Sequence, residues 1–546
     1  MAGAPSERVS RARAEGPGEL LDEAGLGQLH MTHPVYCRSM EVRASRKQGT
    51  IESRNPATGE LVGTVDLQGP DEVRLAVEAA RRSAASWNIL PPRQRRHHLV
   101  QARSALVRSR DEIADLISRE TGKPLQDAYL EVMTACMLLT WSAKSAERVL
   151  APRQVPTGPV FFKRATLLRS PYGVVGVISP WNYPVTVSMQ ALASVLAAGN
   201  VAVLKPSELT PLSGLALARA LNTGEHQLVH PVIGDGTTGE ALVRSGVDKI
   251  SFTGSPLTGR RIMAAAADSL TPVVMELGGK DPMIICDDAD IRRAARAAAA
   301  GAFGNAGQTC IAVERVFATP AAYEPFLEEA LRATSKLRQG WGPGHHIGAI
   351  TRPEQLDVIE QRVRDAESRG ARVLVGGQRV EGPGSFFPPT IVADVSPAMA
   401  IMREETFGPV LPVMRVETVA EAVRLANDCD FGLNASIFTS DQRVAEDVAS
   451  RLCTGGVSVN DALLGAMIPS VPFGGEKHSG FGRVYGEEGL LEFSRTKAVI
   501  EDRFPFLPSL AGTMIRKRPL SPALLSRAIG IAYTDTWPEK ARIIRR

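Results

Sequence analysis

The chain has 546 residues, 44% hydrophobic and 22% charged, with 63 Lys+Arg against 59 Asp+Glu for a net charge of +4. At about 100 to 200 residues per domain, this length predicts two to four domains and allows a large core. Mixed charge and a mean hydropathy near zero exclude a disordered polymer and a multi-span membrane protein, and so diluted a positive charge argues against nucleic-acid binding.

In chain order, residues 1–45 are rich in Arg, Gly and Glu without sustained periodicity, which predicts a flexible extension. The first fifteen residues lack the apolar stretch of a secretory signal, and two glutamates weigh against a mitochondrial transit peptide. Six cysteines (Cys37, Cys136, Cys286, Cys310, Cys429, Cys453) are scattered with no CxxC, so a reducing compartment and a cytoplasmic location are expected. Order is expected from about Thr50, with a turn at Asn55–Gly59. The i, i+3, i+4, i+7 spacing of Val73, Ala76, Val77 and Ala80 predicts a helix, and a second helical region follows Pro92.

From Val174 short β-branched runs recur at residues 174–179, 200–205, 226–234, 249–254 and 271–276, with Ala/Leu/Gly-rich stretches of helical length between several of them. This alternation predicts parallel βαβ units with both sheet faces covered. A second series from about 283 to 460 includes runs at 283–286, 315–319 and 371–377, so two α/β lobes are expected. Residues 160–170 and 497–500 read as strands outside either series.

Several short segments could carry chemistry. Gly234, Gly236 and Gly239 match G-x-G-x-x-G, but no Asp or Glu follows about twenty residues on, so a tight strand-to-helix turn is the preferred reading. Phe252–Ser255, leading to Gly259 and Arg260, suits an anion at a helix N-terminus, or a simple N-cap. Lys205 and Glu208 stand beyond a strand's carboxyl end, where Glu208 could accept from ribose hydroxyls and repel a 2′-phosphate; a solvated loop pair is the plainer reading. Cys310 follows a flexible Gly307-Gln308-Thr309 approach that suits an accessible thiol, whereas the other cysteines read as small buried hydrophobes. Glu276 closes a strand ahead of Leu277, Gly278, Gly279 and Lys280, where desolvation can raise a carboxyl toward general-base work. Asn182, in Ser179-Pro180-Trp181-Asn182-Tyr183-Pro184, offers an amide N–H to a developing oxyanion. The adjacent pairs His97/His98 and His345/His346 lack ligand spacing and read as surface residues, so no metal is expected. No G-x-S-x-G occurs, and a serine hydrolase has no support.

Taken together, SPWNYP (179–184), KPSELTP (205–211), FTGS (252–255), MELGGKDP (275–282), GQTC (307–310), EETFGPV (404–410) and PFGGEKHSGFGR (472–483) resemble the aldehyde dehydrogenase superfamily over nearly all of residues 50–500. The resemblance implies that Cys310 is the nucleophile that forms a thiohemiacetal, that the Asn182 side chain and Cys310 N–H form the oxyanion hole, and that Glu276 activates water to release the acid. It further implies an NAD cofactor, with NADP the alternative. Lys205 and Glu208 would meet the adenine ribose, Ser255 the pyrophosphate, Glu405 the nicotinamide ribose and Phe407 the nicotinamide. Ile178, Pro180 and Trp181 would form the pocket wall.

The resemblance also implies an α/β fold with a Rossmann-type NAD-binding domain (46–148 and 171–276), a catalytic domain (277–484), and a small β oligomerisation arm (149–170 and 485–502) that makes a homodimer or homotetramer. CoA acylation is the alternative reaction, disfavoured by Glu276. A catalytically silent binding relative would be expected to lack Cys310, Asn182 or Glu276. Val187, Gln190, Thr309, Ile311 and the loop 461–469 are expected to line the aldehyde channel. That loop has no Lys or Arg, so an apolar aliphatic or aromatic aldehyde is favoured over a semialdehyde acid.

The charge is unevenly placed. Residues 511–546 hold eight basic residues against Asp535 and Glu539, a net of +6, leaving −2 on the rest. In this tail of 503–546, Ser521 offers an N-cap with Pro522 at the first helical position, and Leu524, Leu525, Ile529 and Ile531 supply apolar surface. A tail packed on the protein's own oligomer is one reading, and peripheral contact with an anionic membrane is the other.

Overall fold

The computed structural model describes residues 49–158, 160–504 and 521–545. The expected N-terminal extension lies outside the described residues, as does the basic cluster Arg516-Lys517-Arg518. The described chain opens with the hairpin Thr50–Arg54 and Leu61–Asp66, whose turn is closed by Asn55: its side chain accepts the Ala57 N–H at 2.9 Å and its carbonyl the Gly59 N–H at 2.7 Å. Helix Pro70–Trp87 buries Val73, Val77 and Ala80 of the expected stripe, leaves Ala76 half-buried and continues the stripe through Ala84 and Trp87; helix Pro92–Arg108 follows. Two further helices, Arg110–Thr121 and Leu125–Val149, complete this helical layer.

A six-stranded sheet comes next, in the spatial order Gly480–Phe481, Val273–Glu276, Lys249–Thr253, Val174–Ile178, Val201–Lys205, Val229–Pro231. All neighbours are parallel except the first pair. Every residue of Val174–Ile178 and Val201–Lys205 is buried, as expected for β-branched runs covered on both faces. The run at 226–234 is strand only over Val229–Pro231, because Ile233 leaves the ladder to bond Gln68 in the loop before helix Pro70–Trp87.

The chain begins this sheet in the middle, builds outward through 201–205 and 229–231, and then returns to the other side through 249–253 and 273–276. Strand 174–178 therefore borders a topological switch point, the place where open α/β sheets bind ligands outside the carboxyl ends of their strands. The segments beginning at Ser179, Pro206, Gly254 and Leu277 all leave the sheet at this edge. They are tied across it by Ser179 N–H to the Lys205 carbonyl and Gly254 N–H to the Glu276 carbonyl, both 3.0 Å.

A seven-stranded sheet has the order Arg372–Val375, Thr390–Ala393, Val410–Arg415, Val313–Ala318, Asp281–Ile285, Asn434–Phe438, Gly456–Val459, parallel apart from its first pair. Each large sheet has its own apolar core, and Leu463 packs against both. The strands left outside these series, Lys163–Pro171 and Ser494–Asp502, pair antiparallel from Ser494 opposite Pro171 to Asp502 opposite Lys163, and Arg153–Val155 joins them. The segment 485–502 is not strand throughout. Gly486–Glu492 is a helix with Leu490 buried in the first core, so the extended strand starts only at Ser494. The tail forms helices Pro522–Tyr533 and Trp537–Arg545; Ser521 stands at the N-cap but its side chain makes no capping bond. Among the described residues, no helix is long and apolar enough to cross a membrane.

Candidate active site

Cys310 follows a left-handed turn, with φ of 52° at Asn305, 55° at Ala306 and 72° at Gly307. Such a conformation is costly for the first two residues and persists only where the surroundings dictate it. The surroundings here are explicit. A Cβ at Gly307 would lie 2.1 Å from the Gly408 carbonyl, and Gln308 donates to the Asn305 and Ala349 carbonyls while its own amide oxygen accepts Thr351 N–H. On the other side, a Cβ at Gly279 would lie 2.1 Å from the Cys310 carbonyl, so only glycine allows the strand-end loop after Glu276 to pass the cysteine.

The structure brings Asn182 to the same turn. Its side chain is buried and donates one N–H to the Gln308 carbonyl at 3.0 Å, and Asn305 donates to the carbonyls of both Asn182 and Gln308 at 3.0 and 3.1 Å. An amide nitrogen has two hydrogens, so Gln308 takes only one of them. Tyr183 O–H lies 3.0 Å from Thr309 Oγ1, a second tie between the two loops.

Glu276 is buried at the end of its strand, and its Oε1 has no hydrogen-bond partner among the described residues. Burial pushes its carboxyl up to about 8, against the opposing pull of Arg483. Burial also pushes Glu405 up to about 8, with the nearby Glu314 charge adding to it. The Cys310 thiol is held well above its ordinary range, first by burial and then by Glu276, Asp281 and Glu405. Burial is thus the first obstacle to a thiolate, and the neighbouring carboxyls add to it where they are ionised.

The segments expected to hold a dinucleotide leave the sheets near this carboxyl edge. Lys205 is buried; its ammonium donates to the Pro206 carbonyl at 3.0 Å and stands 3.7 Å from Glu208 Oε2, which leaves donors and carboxylate lone pairs for ribose hydroxyls. Ser255 caps helix Pro256–Ala267 by accepting Thr258 N–H at 3.3 Å and is exposed. A Cβ at Gly259 would lie 2.8 Å from Leu277, so this helix packs close on Leu277, with its N-terminus at the carboxyl end of strand Lys249–Thr253. Ile178 is buried at its strand end, Pro180 and Trp181 are half-buried, and the Trp181 ring meets Phe407 edge-on at 5.6 Å. Glu405 lies against Gly278, where a Cβ would come within 2.6 Å of its carboxylate, and accepts Gly279 N–H at 3.0 Å. This set of donors, carboxylates and a helix N-terminus fits a nicotinamide dinucleotide. By contrast, the turn at Gly234 is closed by local packing, since a Cβ there would collide with Thr238.

The match to known proteins decides the family. A family model described as the aldehyde dehydrogenase family matches residues 43–499. The chain is 41% identical over 454 residues to the 4,4′-diapolycopene aldehyde oxidase of Methylomonas sp, covering 82% of this chain and 84% of that protein. The chain belongs to the aldehyde dehydrogenase family. It is also 37% identical to the NADP+-dependent succinate-semialdehyde dehydrogenase of Escherichia coli strain K12, covering 81% of this chain and 93% of that one. The solved NAD-dependent aldehyde dehydrogenase from Sinorhizobium meliloti superimposes with a TM-score of 0.81 at 32% identity, over 84% of this chain and 93% of that chain. The protein is thus an oxidoreductase that oxidises an aldehyde with a nicotinamide dinucleotide, in a Rossmann-type α/β fold.

Several residues of this dehydrogenase were not legible as site residues. Lys123 and Glu131 form a buried ion pair at 2.5 Å; Lys123 donates to the Asn182 carbonyl at 2.7 Å and Glu131 accepts Val185 and Thr186 N–H at 3.2 Å, so the pair holds the Asn182 loop. Glu314 pairs with buried Lys280 and accepts Thr406 and Phe407 N–H at 2.8 and 2.9 Å, fixing the segment that carries Glu405. Glu314 has a sequence signal, a carboxylate within the apolar strand Val313–Ala318. Lys123 and Glu131 have none, because a charge in a helical stretch reads as solvated. His98 is not a plain surface residue: it is half-buried, with ring contacts to Trp87 and His226. Of the expected channel residues, Val187, Gln190 and Ile311 are buried and Thr309 is half-buried. In the 461–469 loop, Asp461 turns its carboxylate onto Ala462 and Leu463 N–H, while Leu464 and Ile468 are exposed. Tyr485, stacked on Phe473 at 5.5 Å, donates to the Ala466 carbonyl and anchors that loop.

Proposed function

We propose that this dehydrogenase oxidises an apolar aliphatic or aromatic aldehyde to its carboxylic acid, with NAD as cofactor and Cys310 as nucleophile. The observation that carries the reading is the junction of Asn182 with the Cys310 turn through the Gln308 carbonyl, beside a buried Glu276 whose Oε1 has no partner. Cys310 Sγ attacks the aldehyde carbon, and its proton must pass to a base as the thiohemiacetal forms. The oxygen that gains charge is stabilised by the second N–H of Asn182 and the Cys310 backbone N–H. When bound, a nicotinamide would accept the hydride that leaves the adduct carbon, which becomes a thioester on Cys310 as the charged oxygen re-forms its carbonyl. Glu276, ionised as pH approaches 8, takes a proton from water, which attacks the thioester and frees Cys310.

Lys205 and Glu208 hold the adenine ribose, Ser255 the pyrophosphate, Glu405 the nicotinamide ribose, and Trp181 with Phe407 the pocket wall. The Glu208 carboxylate disfavours a 2′-phosphate, which supports NAD over NADP. The apolar loop Leu463–Ile468 supports an apolar substrate, whereas likeness to a succinate-semialdehyde dehydrogenase supports a semialdehyde as the second reading. The strand sheet 153–171 with 494–502 serves as the oligomerisation arm of a cytoplasmic homodimer or homotetramer.

The test is NADH formation by purified full-length protein over a panel of aliphatic, aromatic and semialdehyde substrates, with NAD, NADP and coenzyme A varied. Higher kcat/KM for apolar aldehydes with NAD, lost in Cys310→Ala, is the expected result. Preference for succinic semialdehyde selects the second reading, and CoA-dependent turnover removes the role given to Glu276.

A further inference from the structure

The last two described helices, Pro522–Tyr533 and Trp537–Arg545, bury none of their residues. They pack on each other where Gly530 leaves room for Ile543; a Cβ at 530 would lie 2.8 Å from Ile543 Cδ1. That contact orients the other side chains. At about 100° per residue, Leu524, Leu525, Ala528, Ile529 and Ala532 form an apolar arc turned away from Gly530. Leu524 and Ile529 are 63% and 61% exposed. On the second helix Trp537, Ala541 and Ile544 share one face at i, i+4 and i+7, with Trp537 80% exposed. Lys540 and Arg545 flank that face. The two helices carry Arg527, Lys540, Arg542 and Arg545 against Glu539, with Asp535 in the turn between them, and the Glu539 carboxylate accepts the Thr536 hydroxyl at 2.9 Å.

We propose that this helical hairpin is a peripheral docking surface for an anionic lipid bilayer. Exposed apolar side chains rimmed by long cations match the acyl boundary and the phosphate layer of such a surface, because Lys and Arg stems lie along apolar surface while their charges stay in water. An exposed tryptophan on the apolar face suits the same boundary. Neither helix is long and apolar enough to span, so attachment is in the plane of the interface. None of the proposed catalytic or cofactor residues belongs to this surface, so it stands or falls apart from the dehydrogenase reading.

The test uses full-length protein with vesicles of phosphatidylcholine, with and without phosphatidylglycerol, read by co-sedimentation and by tryptophan emission against Trp537→Phe. Binding to the anionic vesicles alone is expected, weakening with salt, with a blue shift that Trp537→Phe lacks. Leu525→Asp with Ile529→Asp should abolish binding. Lys540→Gln with Arg545→Gln should weaken it about 30-fold, corresponding to about 1 kcal/mol per basic residue near the surface. Both double variants should keep wild-type turnover of a water-soluble aldehyde. Equal binding to both vesicle types, or binding untouched by the aspartates, overturns the proposal. So does a change of oligomeric state by light scattering in the aspartate variant of a protein that never binds vesicles, which would assign the face to a second copy.

Discussion

Replacing Lys123 with Met removes a buried cation while keeping much of the side-chain volume, and its contacts set what is lost. The ammonium lies 2.5 Å from Glu131 Oε1, donates to the Asn182 carbonyl at 2.7 Å and sits 4.1 Å from the centre of the Tyr183 ring. Both partners of the ion pair are 1% exposed, so water cannot take the place of the missing charge. Breaking a buried pair from one side costs about 3 to 5 kcal/mol. Glu131 keeps the Val185 and Thr186 N–H bonds, which sets the expectation at the lower end, about 3 kcal/mol. The Asn182 carbonyl would then be held by Asn305 alone, at 3.0 Å. Losing an oxyanion donor outright costs about 10²- to 10³-fold in kcat, so a loosened one should cost about tenfold. Urea unfolding and steady-state kinetics on Lys123→Met, Glu131→Gln and the double variant read both quantities. The double variant should be less destabilised than the sum of the singles by about 0.5 to 3 kcal/mol, because it leaves no unpaired charge. Wild-type unfolding and kcat in Lys123→Met, or strict additivity, would refute the reasoning.

Turnover limited by thioester hydrolysis should rise with pH through about 8 as Glu276 ionises, and Glu276→Gln should flatten that limb and trap an acyl-enzyme visible by intact mass. The same raised carboxyls bear on stability: with folded pKa values near 8, Glu276 and Glu405 bind protons more tightly in the folded protein. Their contribution is therefore full below the ordinary carboxyl range and is lost as pH rises toward 8, and Glu276→Gln should shrink that loss in unfolding curves taken across the window. Gly279→Ala would put a Cβ 2.1 Å from the Cys310 carbonyl; the expected outcome is a shifted Cys310 loop, with kcat and the rate of thiol alkylation both changed, and unchanged alkylation would count against it. Glu314→Gln leaves Lys280 buried without its counter-charge and loosens Thr406 and Phe407. It should cost about 3 to 5 kcal/mol in stability and raise the Kd for NAD by calorimetry, whereas unchanged NAD affinity would separate this pair from the Glu405 segment.

Cys310, Glu276 and Asn182 stand out in the sequence as candidates because each stands among small or rigid neighbours at the end of a recognisable strand or stretch. The βαβ alternation was legible for the same local reason, since runs covered on both faces must be continuously apolar. An apolar stretch does not reveal where a ladder stops: the run at 226–234 is strand only over Val229–Pro231, because Ile233 turns away to a partner 165 positions earlier.

By itself, then, the sequence determined the two α/β series, the family likeness and the candidates for reactive groups, all of which follow from local pattern. Only the tertiary structure decided that Lys123 and Glu131 clamp the Asn182 loop, that Glu314 and Lys280 hold the Glu405 segment, and that Glu276 is raised toward 8. Each of these depends on burial and on partners distant in the chain. Desolvation is a property of the packed surroundings, and a charged side chain in a helical stretch reads the same whether that face meets water or a buried counter-charge.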